Sequence, residues 1–260
     1  MLHHEISGNG KKPLVLLHGF MENTTIWNEM EAHLSKDFTL IKIDLPGHGK
    51  SKVYQEIHTV ELMAEKVKEV IDALKLEKIN LLGHSLGGYV SLAFAEKFPE
   101  ILESMTLFFS TTVADDEEKK AIRKRSIAVI DENFETFVKT SIPNLFSNNE
   151  KDILEGKIEL AKNIAKSTHK EGVKAAQLGM AERPDRTEIL ENLDAKILII
   201  AGKYDNAVKT ENLLKTIPEK TNIKTYVLDC GHNGHWEKPT ICAEIINTEL
   251  LHNLPKHFLL

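Results

Sequence analysis

The chain has 260 residues, 42% of them hydrophobic and 28% charged, with 33 basic against 39 acidic residues and a formal charge of −6. Such a balance suits a soluble globular protein with core enough for one large α/β domain or two smaller ones, and it excludes any global attraction to nucleic acid or anionic lipid. The apolar runs fall far short of the roughly 18 residues that cross a bilayer. At the N-terminus, MLHHEISGNGKKPLVLLHG has no long apolar stretch after basic residues, so no secretory signal is expected. Cys230 and Cys242 lack metal-ligand spacing, and two buried free thiols in a reducing, cytoplasmic compartment are expected.

In chain order, PLVLLHG (13–19) reads as a buried strand ending in glycine, and TTIWNEMEAHL (24–34) as a helix opening on a threonine cap. FTLIKIDLPGHG (38–49) is a second strand with its loop, and TVELMAEKVKEVIDALKL (59–76) has apolar residues at helical spacing. INLLGHS (79–85) gives way to a third helix. SMTLFFS (104–110), AKILIIAG (195–202) and IKTYVLDCG (223–231) complete the strands, with IPEK (217–220) marking a helix stop. Strand alternating with helix implies a parallel sheet covered on both faces.

One segment breaks the alternation. From Thr112 to Leu193 no strand is expected; DDEEKKAIRKRSIAVI, NFETFVKTSIPNLF, NEKDILEGKIELAKNIAKS and KEGVKAAQLGMAE read as successive amphipathic helices. An α/β core of residues 1–111 and 194–260, with a helical lid of residues 112–193 over the sheet's carboxyl edge, is the expectation, because ligands bind open α/β sheets at that edge. A separate helical domain is the alternative.

GHSLGG (83–88) crowds three glycines around Ser85 where strand gives way to helix, although each glycine weakens a helix by about 1 kcal/mol. The run fits G-x-S-x-G in its required strand–turn–helix context. Gly83 and Gly87 would remove side chains where strand and helix approach, and the turn would project the Ser85 hydroxyl out of the sheet edge. The N–H of Leu86 would then point where an oxyanion forms. A bland glycine-rich turn with an incidental serine is the competing reading.

A nucleophilic serine needs a base, and the base needs a third group to hold its tautomer. Asp205 in AGKYDNAV and His232 in LDCGHNGHWEKP both follow strands and give the order serine, acid, histidine. Asp115 is the first acid after the preceding strand, and a turn or helix-cap role is the alternative for Asp205. His235 competes with His232 as base, or lines the pocket; as a zinc pair the two lack an HExxH context. In LLHGF (16–20) the N–H of Phe20 is a second candidate oxyanion donor, worth about 3 kcal/mol in a transition state. His18 and His84 are expected to brace their loops, as are Asp44 and Ser51 in DLPGHGKS. Glu22 is expected at the pocket mouth or on the surface, and Trp27 and His235 in the substrate pocket.

HGF, DLPGHGKS, GHSLGG, AGKYD and GHNGHWEKP, in this order and spacing over essentially the whole chain, resemble the α/β-hydrolase superfamily, in particular the small cap-bearing carboxylesterases and enol-lactonases. The resemblance implies a triad of Ser85, Asp205 and His232, backbone oxyanion donors at Phe20 and Leu86, a four-helix lid, and no metal or organic cofactor. Two departures stand out. The family's sheet usually begins with a hairpin, whereas this chain starts at LHHEIS, so the first, antiparallel edge strand is expected to be absent. AGKYDNAV also lacks the proline common a few residues after the acid.

The chemistry expected is acyl transfer from a small-molecule ester or lactone to water through an acyl-enzyme. The same triad serves a carbon–carbon lyase, as in the menaquinone-pathway synthase of this family, and carbon–carbon hydrolases of ring-cleavage products. Such chemistry calls for basic lid residues to hold carboxylates, with Arg123, Arg125 and Arg183 as candidates. A slow-turnover receptor of the strigolactone-receptor type is a third reading. Serine at position 85 excludes a haloalkane dehalogenase, which uses an acid there.

Overall fold

The computed structural model describes residues 1–251; the end of the expected core segment, residues 252–260, lies outside them. The apolar runs become six parallel strands, β2 (Lys12–Leu17), β3 (Phe38–Ile43), β4 (Ile79–His84), β5 (Leu102–Phe108), β6 (Lys196–Gly202) and β7 (Ile223–Leu228). With β1 (His4–Ser7) the sheet runs β1-β3-β2-β4-β5-β6-β7. The strand order reverses between β2 and β4, where Leu17 pairs with Gly83. Chain leaving these two neighbouring strands diverges, which opens a crevice at their carboxyl ends.

Period-two alternation sends side chains to two cores. Val15 and Leu17 pack with α2 (Val60–Ala73) and α3 (Leu86–Lys97), while Leu14 and Leu16 pack with α1 (Asn28–Leu34) and α10 (Pro239–Leu251). The N-terminus of α2 is capped by Thr59, whose hydroxyl accepts from Leu62 N at 3.1 Å. Before α1 the cap is Asn23 and not the expected threonine: its backbone is extended and its Oδ1 takes Thr25 N at 3.0 Å, opening a 3-10 turn over Thr24–Trp27.

The sheet edge differs from expectation in one respect. LHHEIS itself supplies an antiparallel strand, β1, in register with β3 from His4↔Ile43 to Ser7↔Leu40. The antiparallel edge strand expected to be absent is therefore present, paired directly with β3. Four residues facing an already twisted neighbour suffice, because β3 supplies the ladder partners.

Between β5 and β6 the chain is helical: α4 (Glu117–Ser141), α5 (Glu155–Ser167), α6 (Lys170–Glu182) and α7 (Glu188–Asn192). Two of the expected helices meet end to end in α4 at Asn133, whose backbone (φ −154°, ψ 87°) is not helical. Asn133 Oδ1 caps the second half by accepting Thr136 N at 2.9 Å. The short α7 packs on α3 of the core, and Arg186 before it bridges to Glu61 and Glu96.

Candidate active site

Ser85 sits between β4 and α3 with φ 49° and ψ −109°. A side-chain-bearing residue rarely takes a positive φ, and holding one there costs on the order of 1–3 kcal/mol. The neighbours enforce it. Ser85 N donates to Phe108 O at 3.0 Å, and Ser85 O accepts from Ser110 Oγ at 2.8 Å and Gly88 N at 2.9 Å. The glycines are steric requirements: a Cβ on Gly83 would lie 2.1 Å from Gly87 O, and one on Gly87 would lie 2.4 Å from Leu17 O. Backbone cannot yield there, so strand, turn and helix meet only if those side chains are absent.

Asp205 divides its carboxylate between two tasks. Oδ1 accepts from Ala207 N and Val208 N, both at 2.8 Å, and Oδ2 meets His232 Nδ1 at 2.7 Å. The turn-capping and histidine-holding readings therefore both describe it. With Nδ1 donating to Asp205, Nε2 of His232 is left as the free face of the ring. The loop bearing His232 is clasped: its N–H donates to Leu145 O at 2.8 Å, and Glu237 accepts from Gly231 N (2.8 Å), Asn233 N (3.1 Å) and Ser147 N (3.1 Å). Burial pushes the Glu237 carboxyl upward despite those three donors.

A cavity of about 560 Å³ joins these pieces. Phe20, Ser85, Val208 and His232 line it from the sheet side, and Ile122, Arg123, Phe137 and Met180 from the helical insertion. The N–H groups of Phe20 and Leu86 donate to no acceptor in the chain among the described residues. Trp27 and His235 do not line the cavity. Both are fully buried, with ring centroids 5.9 Å apart, because the 3-10 turn and the short helix α9 (Gly234–Glu237) aim these large rings into the packing of Phe108 and Trp236.

Two of the insertion's arginines are already engaged. Arg183 donates to Asp115 Oδ1 at 2.9 Å, to Met180 O and to Val113 O, and its guanidinium lies 3.9 Å over the Tyr89 ring. Arg123 pairs with the other oxygen of Asp115 and donates to Gln177 at 3.0 Å. Burial works to raise Asp115, but the two guanidiniums outweigh it and hold the carboxyl below its ordinary range. Arg125 is exposed and lies off the cavity.

Beneath the serine lies a group that sequence patterns did not resolve. Glu22 is not on the surface but buried in the cavity wall beside His84 and Ser85; its Oε2 accepts from Gly19 N at 2.6 Å and meets His84 Nδ1 at 2.8 Å. His84 Nε2 lies 3.1 Å from His232 O. His235 Nε2 is 3.7 Å from Glu22 Oε1, yet burial drives this imidazole well below its ordinary pKa, so it is a neutral neighbour and not an ion-pair partner. Ligand-type atoms of Glu22, His84 and His235 lie within 4.8 Å of one another. The carboxylate and His84 Nδ1 already satisfy each other, which makes the trio an acid–imidazole pair with a neighbour more than a ligand set. Nothing in HGFME marks Glu22 as buried, because its partner is 62 residues away.

Both cysteines are buried free thiols; burial pushes Cys242 up to about 12 and Cys230 higher still.

A parallel sheet whose strand order reverses beside a serine on a strained strand-to-helix turn defines an α/β hydrolase architecture. The chain belongs to the alpha/beta hydrolase fold family, whose model matches residues 12–148. A solved structure, a thermophilic esterase from Thermogutta terrifontis with malate bound, is similar at 33% identity and a TM-score of 0.89, covering 96% of this chain and 93% of that one. A putative 2-succinyl-6-hydroxy-2,4-cyclohexadiene-1-carboxylate synthase from Bacillus subtilis is 27% identical, over 92% of this chain and 90% of its own. An uncharacterized protein from Mycobacterium tuberculosis is 35% identical over 111 residues, and the chain spans only 32% of that relative's length. No helix among the described residues is long and apolar enough to cross a membrane.

Proposed function

We propose that the protein is a serine hydrolase that cleaves a small carboxylic ester or lactone through an acyl-enzyme. The observation that carries this reading is the 2.7 Å contact between Asp205 and His232 on a cavity whose wall also presents the strained Ser85. His232 Nε2 takes the hydroxyl proton as Ser85 Oγ attacks the carbonyl carbon, and the N–H groups of Phe20 and Leu86 receive the oxyanion. His232, held in its tautomer by Asp205, then passes that proton to the leaving alcohol. Water, deprotonated by His232, attacks the acyl carbon, and as the acyl bond to Ser85 Oγ breaks, His232 returns that proton to Oγ, releasing the acid and the free serine.

The insertion acts as a lid. Ile122, Phe137 and Met180 face the cavity from it, so an apolar acyl or alcohol group suits that part of the space, and Lys119 and Arg123 beside them are both drawn to Asp115. The similarity to an esterase at 33% identity supports ester chemistry. Carbon–carbon lyase chemistry on a polycarboxylate, the reading suggested by the synthase relative, would call on Arg123 and Arg183; Asp115 anchors both, and of the two only Arg123 lines the cavity.

Hydrolysis of p-nitrophenyl esters from acetate to decanoate by wild type and Ser85→Ala tests the proposal. Turnover in the wild type that vanishes in the variant supports it. Persistence of turnover in Ser85→Ala, or a wild type inert to every ester, sinks it.

A further inference from the structure

We infer that Glu22 and His84 form a buried, charged pair that locks the three loops of the site against one another, so that both are positioning residues. The inference rests on the serine-hydrolase reading above for what the loops do, and on geometry for the pair itself.

The charge follows from the contacts. His84 Nδ1 faces Glu22 Oε2 at 2.8 Å, and Nε2 faces the His232 carbonyl at 3.1 Å. An ionised carboxylate and a carbonyl only accept hydrogen bonds, and a neutral imidazole carries one N–H, so filling both contacts takes an imidazolium. The same ring contacts could be met with the proton on Glu22, but Oε2 also receives the Gly19 N–H at 2.6 Å, a bond that favours the ionised carboxylate. His18, in the same region, shows the contrast. Its Nδ1 lies 2.7 Å from Gly19 O, while its Nε2 accepts from Leu45 N at 2.9 Å, one donor and one acceptor, as a neutral ring requires. Burial alone would neutralise both groups of the pair, yet each outweighs it for the other: Glu22 is held down to about 2 and His84 is raised.

The pair's position makes it a hub. Gly19, which donates to Glu22, precedes Phe20 and its candidate oxyanion N–H. His84 precedes Ser85. The carbonyl that His84 holds belongs to His232. A Cβ on Gly19 would lie 2.7 Å from both Glu22 Oε2 and His84 Nδ1, so the first loop is seated directly on the pair. The other titratable groups facing His84 are His18, Asp205, His232 and the neutral His235. Deprotonating His84 would cost a bond to one of its two acceptors and loosen two loops together.

The test combines side-chain 15N spectra of the full chain with kinetics of wild type and Glu22→Gln on p-nitrophenyl butyrate and a fluorophosphonate. In the wild type at pH 7.5 both His84 nitrogens are expected to be protonated, and in Glu22→Gln one proton is lost. A folded Glu22→Gln is expected to lose about 10- to 100-fold in kcat and in the labelling rate of Ser85, with KM within about threefold, because misplacing reacting groups costs rate more than binding. A wild-type His84 with a bare nitrogen overturns the charged pair, and that spectrum decides even if the variant fails to fold. A folded Glu22→Gln with kcat within twofold of wild type overturns the positioning role. A wild type inert to both ester and fluorophosphonate instead overturns the hydrolase reading, and the positioning role with it, while leaving the spectra to judge the pair.

Discussion

The two sides of the cavity are built on opposite principles. On the sheet side the candidate triad is held from several directions: Asp205 has three partners, Ser85 is fixed through its own N–H and carbonyl, and the His232 loop hangs on Glu237. On the insertion side, α4 buries only Ile130 and Val138 of its 25 residues. Few buried apolar contacts mean a low local cost of opening along α4, whereas α6 buries eight of its 13 residues. On the serine-hydrolase reading, the difference teaches that the chemistry would rest on a tightly held floor and substrate choice on the helices above it.

Breaking the floor should have the largest effects. Ser85→Ala is expected to lower kcat on the order of a millionfold, to background in the ester assay. Asp205→Asn keeps an oxygen for Ala207 and Val208 but presents an amide to His232 Nδ1, which selects the wrong tautomer. A loss on the order of ten-thousandfold in kcat, with the melting temperature little changed, is expected from steady-state kinetics and thermal denaturation. Disturbing the roof should act on stability before chemistry. Asp115→Ala leaves the buried Arg183 without its counter-charge, and denaturant titration should show a loss of about 3 kcal/mol.

Smaller effects sharpen the contrast. Phe137→Ala enlarges the cavity from the insertion side, and kcat/KM for the longest esters should change by about tenfold while that for acetate stays within twofold. The pH dependence of stability separates the two sides as well. With His84 raised above its ordinary 6.5, the pair's contribution is complete below that pH and fades as pH climbs through the folded value. With Glu22 lowered from 4.5 to about 2, its share is complete above pH 4.5 and fades toward pH 2. Melting curves of wild type should therefore decline on the alkaline side of 6.5, and those of Glu22→Gln should lack that part of the slope.

The six parallel strands were legible because each is an apolar run followed by a loop, while the short, half-polar HEIS of β1 was not; GHSLGG was legible because its glycines pay locally for a bend no other residue permits. Asp205 and His232 could be read from their places just after β6 and β7. Glu22, Glu237 and the true surroundings of Trp27 and His235 could not. Their roles are set by partners distant in sequence, as with Glu22 and His84 or Glu237 and Ser147, and no local period records such a meeting. Arg123 and Arg183 looked like substrate ligands for the same reason, since Asp115 binds both only once the insertion has folded.

The clasp at Glu237 carries a consequence for anyone who would remodel this scaffold. Its carboxylate takes Ser147 N from the insertion with the same oxygen that takes Gly231 N, and Leu145 O holds the N–H of His232. The insertion is thus not an interchangeable cassette. A transplanted roof that lacks a carbonyl and an amide at those two points would arrive with a new pocket and an unfastened His232 loop, and swaps should keep residues 145–147 as part of the recipient.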